Sequence, residues 1–365
     1  MKKLFIAATR QNDGKTTIAL GLIFNLRERF KKIGFIKPIG QRYLMEEGEK
    51  IDEDSVLIER FFESLGIRYT LKDMSPIAVE RGFTEQYILN PDSKRLTSQI
   101  KESFSRIAQD KELVIIEGTG HAAVGSVFDH SNAYVAKLLE SKVLLISSGG
   151  IGKPIDEVVL NKMLFEKEGI ELLGVIINKV LPEKFSKVNK LVRKGLERKG
   201  IEVLGVMPYL PLLSCPTIGQ ILEETDYQLL CGRESLDNLV KKIVVGAMQP
   251  HNAINYFVDG ALLITPGDRE DMILASLGSY LGKSFKEIYI CGIVLTGNMV
   301  PHTRIMHLVE QTKVPVLLAE PDTYSVASRI HDLMVKIRPQ DKEKIEAVEK
   351  IVKENVDMDR LVERM

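Results

Sequence analysis

The chain has 365 residues, enough for two domains of ordinary size. Its 50 basic and 50 acidic side chains cancel, so net charge gives no argument for nucleic acid or an anionic membrane as a partner. With 44% hydrophobic and 27% charged residues the composition is that of a well-cored globular protein, and no apolar run reaches the length of a membrane span.

The opening Met1-Lys2-Lys3 leads into a short apolar run, Leu4-Phe5-Ile6-Ala7-Ala8, which reads as a first strand rather than a secretory signal. Next comes Thr9-Arg10-Gln11-Asn12-Asp13-Gly14-Lys15-Thr16-Thr17, and then an amphipathic stretch. Strand, glycine-bearing loop and helix is the layout of a phosphate-binding loop. Backbone N–H groups from Asn12 to Thr17 would turn toward phosphate oxygens, and the positive end of the helix would face them. Lys15 would reach the β/γ-phosphates and Thr16 would ligate Mg²⁺, so ATP and Mg²⁺ are the expected ligands. Thr9 stands where the strict pattern G-x-x-x-x-G-K-[ST] has Gly. The competing reading is an ordinary strand-turn-helix with a glycine at the turn.

Further apolar runs alternate with helical patterns at residues 34–38, 113–117, 143–147, 172–178 and 203–208. This alternation predicts an α/β fold, a mostly parallel sheet with helices on both faces. Ligands in that architecture gather at the C-terminal ends of strands. These runs lead there into Lys37, Glu117, Ser147, Asn178 and Pro208. Lys37, followed by Pro38, would neutralise a phosphoryl group or a carboxylate, unless it is a solvated strand end. Asp54 opens a helical pattern that runs to about Leu65; it is a metal candidate or a helix N-cap or first-turn acid. Glu117 precedes Gly118-Thr119-Gly120-His121 and could hold Mg²⁺ directly or through water. Gly149-Gly150-Ile151-Gly152 is a second backbone cradle or a tight turn. His121 and His130 flank the Glu117 loop, as proton carriers or as structural groups.

The pattern changes near Leu212. Cys215-Pro216-Thr217 opens a linker, a helical segment follows, and a second alternating series runs through residues 243–248, 261–265, 288–295 and 314–318. The boundaries expected are 1–213 for the first domain, 214–335 for a smaller α/β domain and 336–365 for a charged helical tail. That tail would pack on the second domain or on another subunit. Cys215, Cys231 and Cys291 lack the spacing of a zinc site and suit a reducing cytoplasm.

Over residues 1–213 the motifs resemble dethiobiotin synthetase and related ATP-dependent ligases. The matching elements are residues 9–17, Lys37-Pro38, Asp54, Glu117-Gly118-Thr119-Gly120, Asn178 and Met207-Pro208-Tyr209-Leu210. The resemblance implies Thr16, Asp54 and Glu117 as metal ligands, Lys15 and Lys37 as phosphate and substrate contacts, and Asn178 with Pro208 around adenine. Gly40-Gln41-Arg42-Tyr43 and His121 depart from the synthetase where it meets its substrate, so dethiobiotin formation itself is not expected. Arg10 occupies the place of a signature lysine of deviant phosphate-loop ATPases; it would stabilise phosphate charge, within its chain or across a dimer interface, or face solvent as an ordinary loop residue.

Residues 37–43, 81–84, 117–129 and 148–156 are similar to the group described as the dethiobiotin-synthetase-like N-terminal domain of phosphotransacetylase. Its acetyltransferase domain is not recognised in this sequence, and acetyl transfer is not expected. Pro266-Gly267-Asp268-Arg269 and Thr296-Gly297-Asn298 resemble the DRTGG domain, a module that the resemblance links to regulation or oligomerisation. Asp268 would contact a ligand, or cap its helix and pair with Arg269. Two functions are expected from these readings. One is an ATPase or ATP-dependent ligase on an unknown small molecule. The other is a nucleotide-dependent regulatory switch or scaffold acting through the DRTGG-like domain on a protein partner. A homodimer is expected in either case.

Overall fold

The computed structural model describes residues 1–281, 288–333 and 335–365. They form two compact units, Met1–Leu210 together with Ile337–Met365, and Pro211–Lys336. In the first unit, β1 (Lys2–Ala8), β2 (Ile33–Ile36), β3 (Leu113–Glu117), β4 (Lys142–Ser148), β5 (Leu172–Val180) and β6 (Val203–Pro208) build one sheet. Its order is β6-β5-β4-β1-β3-β2, with every neighbouring pair parallel. These strands are near-continuous apolar runs because both faces of the sheet are covered; all five residues of β3 are buried. The chain leaves β1 toward one side for β2 and β3 and later fills the other side with β4. The C-terminal end of β1 is therefore a topological switch point, where open α/β sheets bind ligands.

The helix Lys15–Leu26 begins directly at Gly14, which takes a left-handed conformation with φ 96°. A hairpin of Tyr43–Glu46 and Glu49–Asp52 leads into the helix Glu53–Ser64, whose N-cap is Asp52, accepting from the Asp54 backbone N–H. The sequence pattern gave no sign of that hairpin, because its first strand is largely exposed.

The C-terminal tail belongs to the first unit, contrary to the expectation that it would pack on the second domain or another subunit. Its helix Lys342–Asn355 lies along the helix Lys15–Leu26, where Gly21 provides the notch. A Cβ on Gly21 would come 2.4 Å from Cγ2 of Val352. Beyond that helix, Val356 bridges Gly205 in antiparallel fashion, and the Asp357 N–H donates to the Leu204 carbonyl at 2.9 Å. This contact covers the open edge of β6.

The second unit carries β7 (Gln228–Cys231), β8 (Lys242–Val245), β9 (Ala261–Pro266), β10 (Gly292–Thr296) and β11 (Val316–Leu318), in the order β7-β11-β10-β9-β8. All pairs are parallel except β7 with β11. The antiparallel β7 is an element the alternating pattern did not predict, and the run beginning at Ile288 joins the sheet only at Gly292. One face packs Ala261, Leu263 and Leu295 against Met272; the other packs Leu262, Ile264 and Val294 against Val326. Asp268 is exposed and does not cap the helix Glu270–Ser276, and the Arg269 guanidinium bonds Asp271 instead, with Nε to Oδ1 at 2.9 Å. Two residues further along, Asp271 can meet the guanidinium fork from the first helical turn. No described helix is long and apolar enough to cross a membrane.

Candidate functional site

The loop after β1 is closed on itself by Asp13. Its Oδ2 accepts from the Thr9 hydroxyl and from the Arg10 backbone N–H, both at 2.9 Å. The Thr9 hydroxyl also lies 3.1 Å from Ser147 Oγ at the end of β4. A hydroxyl at position nine therefore has a structural use that a glycine could not supply. Burial raises the Asp13 pKa, while the Thr9 and Arg10 bonds oppose that rise. From the end of β5, Asn178 Nδ2 donates to the Asp13 carbonyl at 2.8 Å, and Lys179 Nζ donates to the Asn12 carbonyl at 2.6 Å. Only glycine fits at position 14: besides its positive φ, a Cβ there would sit 2.3 Å from Asn178 Nδ2.

Behind this loop lies a buried charge cluster. Lys37 is 5% exposed, Asp52 1%, Asp54 5% and Glu117 0%. Lys37 Nζ bonds the Asp54 carboxylate, stands 2.9 Å from Asp52 Oδ1 and 3.7 Å from Glu117 Oε1. Burial acts against the Lys37 charge, but Asp54, Asp52 and Glu117 together outweigh it and hold the ammonium well above the usual lysine range. Lys15 is moved the other way, lowered by burial despite the attraction of Glu117. Glu117 Oε1 accepts from the Thr16 hydroxyl at 2.9 Å. Its Oε2 is buried and has no hydrogen-bond partner among the described residues. Burial, reinforced by Asp54, pushes the Glu117 carboxyl up to about 7.

These donors fit a divalent cation of a particular kind. Mg²⁺ keeps several waters and takes one or two protein oxygens beside substrate phosphates. Thr16 and the orphaned Glu117 oxygen supply that number. Among the described residues no group of three or more His, Cys, Asp or Glu side chains is arranged to hold a metal unaided. Asp54, a metal candidate by sequence, is placed against Lys37.

The Glu117 loop is fastened from below. Asn132 Oδ1 accepts from the Thr119 N–H at 3.0 Å, and its Nδ2 donates to the Thr119 and His121 carbonyls at 2.8 and 2.7 Å. Asn161 Oδ1 accepts from the Ala122 N–H at 2.8 Å. His130 is fully buried, with ring nitrogens at 2.9 Å from the Phe128 carbonyl and 3.0 Å from Thr97 Oγ1; His121 is exposed. Gly149 passes close to β5, since a Cβ would meet the Lys179 carbonyl at 2.7 Å. Arg10 pairs with Glu157 of its own chain, on the helix Gly152–Lys167.

The structure thus brings Asn12, Asp13, Gly14, Thr16 and Asn178 together around the loop, and Lys37, Asp54 and Glu117 together behind it. Pro208 ends β6, in register with Val180 on the strand that carries Asn178. Sequence reasoning passed over Asp52, Glu157, Lys179, Asn132 and Asn161 as site residues. Asp52 carried a usable signal, an Asp two residues ahead of Asp54 at a helix start. The two asparagines carried none.

A family model described as the AAA domain matches residues 2–217, and one described as the DRTGG domain matches residues 220–333. The phosphate acetyltransferase of Nitratidesulfovibrio vulgaris is 26% identical over 371 residues, covering 99% of this chain and 51% of that protein. The phosphate acetyltransferase of Pseudomonas aeruginosa is 28% identical over 382 residues, covering 100% of this chain and 52% of that protein. The chain spans about half the length of the curated relatives it matches. Among solved structures, the MinC:MinD cell division protein complex of Aquifex aeolicus aligns at 17% identity with a TM-score of 0.38, over 58% of this chain and 84% of that one. The CBS and DRTGG regulatory region of Clostridium perfringens pyrophosphatase aligns at 20% identity with a TM-score of 0.26, over 31% of this chain and 45% of that one.

Proposed function

Since the chain belongs to the AAA domain family through residues 2–217 and carries a DRTGG domain at residues 220–333, we propose that it binds ATP with Mg²⁺ on residues 9–17 and carries out phosphoryl chemistry there, as an ATPase or an ATP-dependent ligase. The observation that carries this reading is the Thr16–Glu117 hydrogen bond of 2.9 Å beside a buried Glu117 oxygen with no hydrogen-bond partner among the described residues. Loop amides and Lys15 receive the phosphates; Thr16 and Glu117 hold the cation, which would neutralise charge on the β- and γ-oxygens. Lys37 is the group that would leave its carboxylates for a transferring phosphoryl or an acidic substrate, and Asp54 and Asp52 keep it charged until then. Asn178 and Pro208 would lie around the adenine base. Arg10 is held by Glu157 and would reach phosphate only after that pair opens.

Titration calorimetry with ATP, with and without Mg²⁺, tests the reading. Wild type should bind in the presence of Mg²⁺ and Lys15→Ala should not; a wild type silent toward ATP·Mg would end it. A second reading, a nucleotide-dependent regulatory switch or scaffold acting through the DRTGG domain, is favoured by the presence of that domain at residues 220–333. Turnover separates the two. A ligase releases ADP and phosphate only with its acid and amine present, whereas a switch hydrolyses slowly and alone or only binds. We place either activity in a cytoplasmic homodimer, which sedimentation would test.

A further inference from the structure

From the end of β5, we propose, Asn178 and Lys179 act as positioning residues that brace the phosphate loop, so that its amides are held for a polyphosphate before any base is read. This rests on the proposed nucleotide site and adds how that site is kept open. A loop cradles phosphate only when successive N–H groups point inward, and their carbonyls must then find partners on the outside. Two consecutive carbonyls of this loop find them on two consecutive residues of one strand. Asn178 Nδ2 takes the Asp13 carbonyl at 2.8 Å, and Lys179 Nζ takes the Asn12 carbonyl at 2.6 Å.

The brace is itself fixed. Asn178 is 5% exposed, and its Oδ1 accepts from the Lys179 N–H at 2.8 Å, which sets the amide with its nitrogen toward the loop. Lys179 takes a left-handed backbone conformation, φ 59°, which turns the strand end so that both side chains reach the same loop. Gly14 closes the arrangement from the other side, because any Cβ there would displace the Asn178 amide. One N–H of Asn178 is therefore committed to the loop, leaving the other N–H for a base. Base recognition and loop geometry share one amide.

Inorganic tripolyphosphate, which has no base, separates a brace from a base reader. Its Mg²⁺ complex and ATP·Mg are titrated calorimetrically into the full chain, as wild type, Asn178→Ala and Lys179→Met. The brace predicts that Asn178→Ala weakens tripolyphosphate by about tenfold and ATP by at least as much, any excess for ATP being the lost base contact, and that Lys179→Met weakens both by about threefold. A purely structural side chain would lower the melting temperature and leave the affinity of the folded chain unchanged. Should Asn178→Ala fail to fold, the isosteric Asn178→Asp sets an acceptor against the Asp13 carbonyl and must again weaken both ligands. Variants that lose ATP but keep wild-type affinity for tripolyphosphate would overturn the brace alone. A wild type that binds neither ligand would overturn the nucleotide reading and the brace with it.

Discussion

Both units lay parallel strands side by side and end them along one edge, yet they place different groups there. The edge of the first sheet buries Lys37, Asp52, Asp54 and Glu117. The edge of the second buries hydroxyls, Thr265 at 0% exposure and Thr296 at 1%, and its Arg269–Asp271 pair is only partly covered, at 29% and 48% exposure. Methionines are exposed beside it, Met248 at 46% and Met299 at 37%. Among the described residues, the edge of the first unit concentrates ionisable groups out of water, where each costs several kcal/mol unless it is paired, and the edge of the second does not. In the function proposed above, it is this buried charge that sets the first edge apart.

The largest expected effect comes from breaking that cluster. Lys37→Met should destabilise the chain by about 3 kcal/mol at pH 8, because it leaves carboxylates buried without their cation. The matched change in the second unit, Arg269→Met, should cost less, about 1 kcal/mol, since Asp271 is half exposed and the other bonds lost are those to the Gly246 and Met248 carbonyls at 3.2 and 3.0 Å. Urea unfolding of both variants measures the contrast. At pH 4 the Lys37→Met cost should shrink, because protonated carboxyls no longer need the ammonium. Equal costs at pH 8 would erase the distinction between the two edges.

A smaller effect concerns protons. The Glu117 carboxyl is pushed up to about 7, so below that pH it carries a proton that a bound cation must displace. Folding alone already feels this: the folded state holds the proton between the unfolded value near 4.5 and about 7, so stability from this group is full below that range and is lost as pH rises through it. Affinity for ATP·Mg should run the other way and rise roughly tenfold from pH 6 to pH 8. Calorimetry in buffers of different ionisation enthalpy should show a proton released on binding, and Glu117→Gln should abolish that release. Release that persists in the variant would assign the proton to another group.

Much of the first edge was legible before any coordinates, because it is local. Gly14, Lys15 and Thr16 follow a strand at fixed spacing, and Lys37 and Glu117 each end an apolar run. The α/β fold was legible for the same reason, as alternating periodicities. What could not be read were groups brought in from a distance. Asn132 and Asn161 sit on helices and acquire meaning only when they meet the Glu117 loop. The helix Lys342–Asn355 shows an amphipathic period, which says that one face is covered but not by what; the notch at Gly21 decides that. The strand Gln228–Cys231 is short, only partly buried and antiparallel, so it carries little pattern.

The smallest effect is a difference of sign between two threonines that follow or end central strands. Thr9, 5% exposed, gives its hydroxyl to Asp13 and lies by Ser147, whereas the Thr265 hydroxyl, fully buried, has no hydrogen-bond partner among the described residues. Valine keeps nearly the same shape and removes the hydroxyl. Thr9→Val strips Asp13 of a partner in a closed loop and should cost about 1 kcal/mol, while Thr265→Val removes a polar atom that gains nothing where it is and should stabilise by up to about 1 kcal/mol. Paired thermal melts decide the question without reference to any ligand. If both substitutions destabilise, the Thr265 hydroxyl has a bonded partner of its own, and the second edge holds a polar site that this contrast with the first denies it.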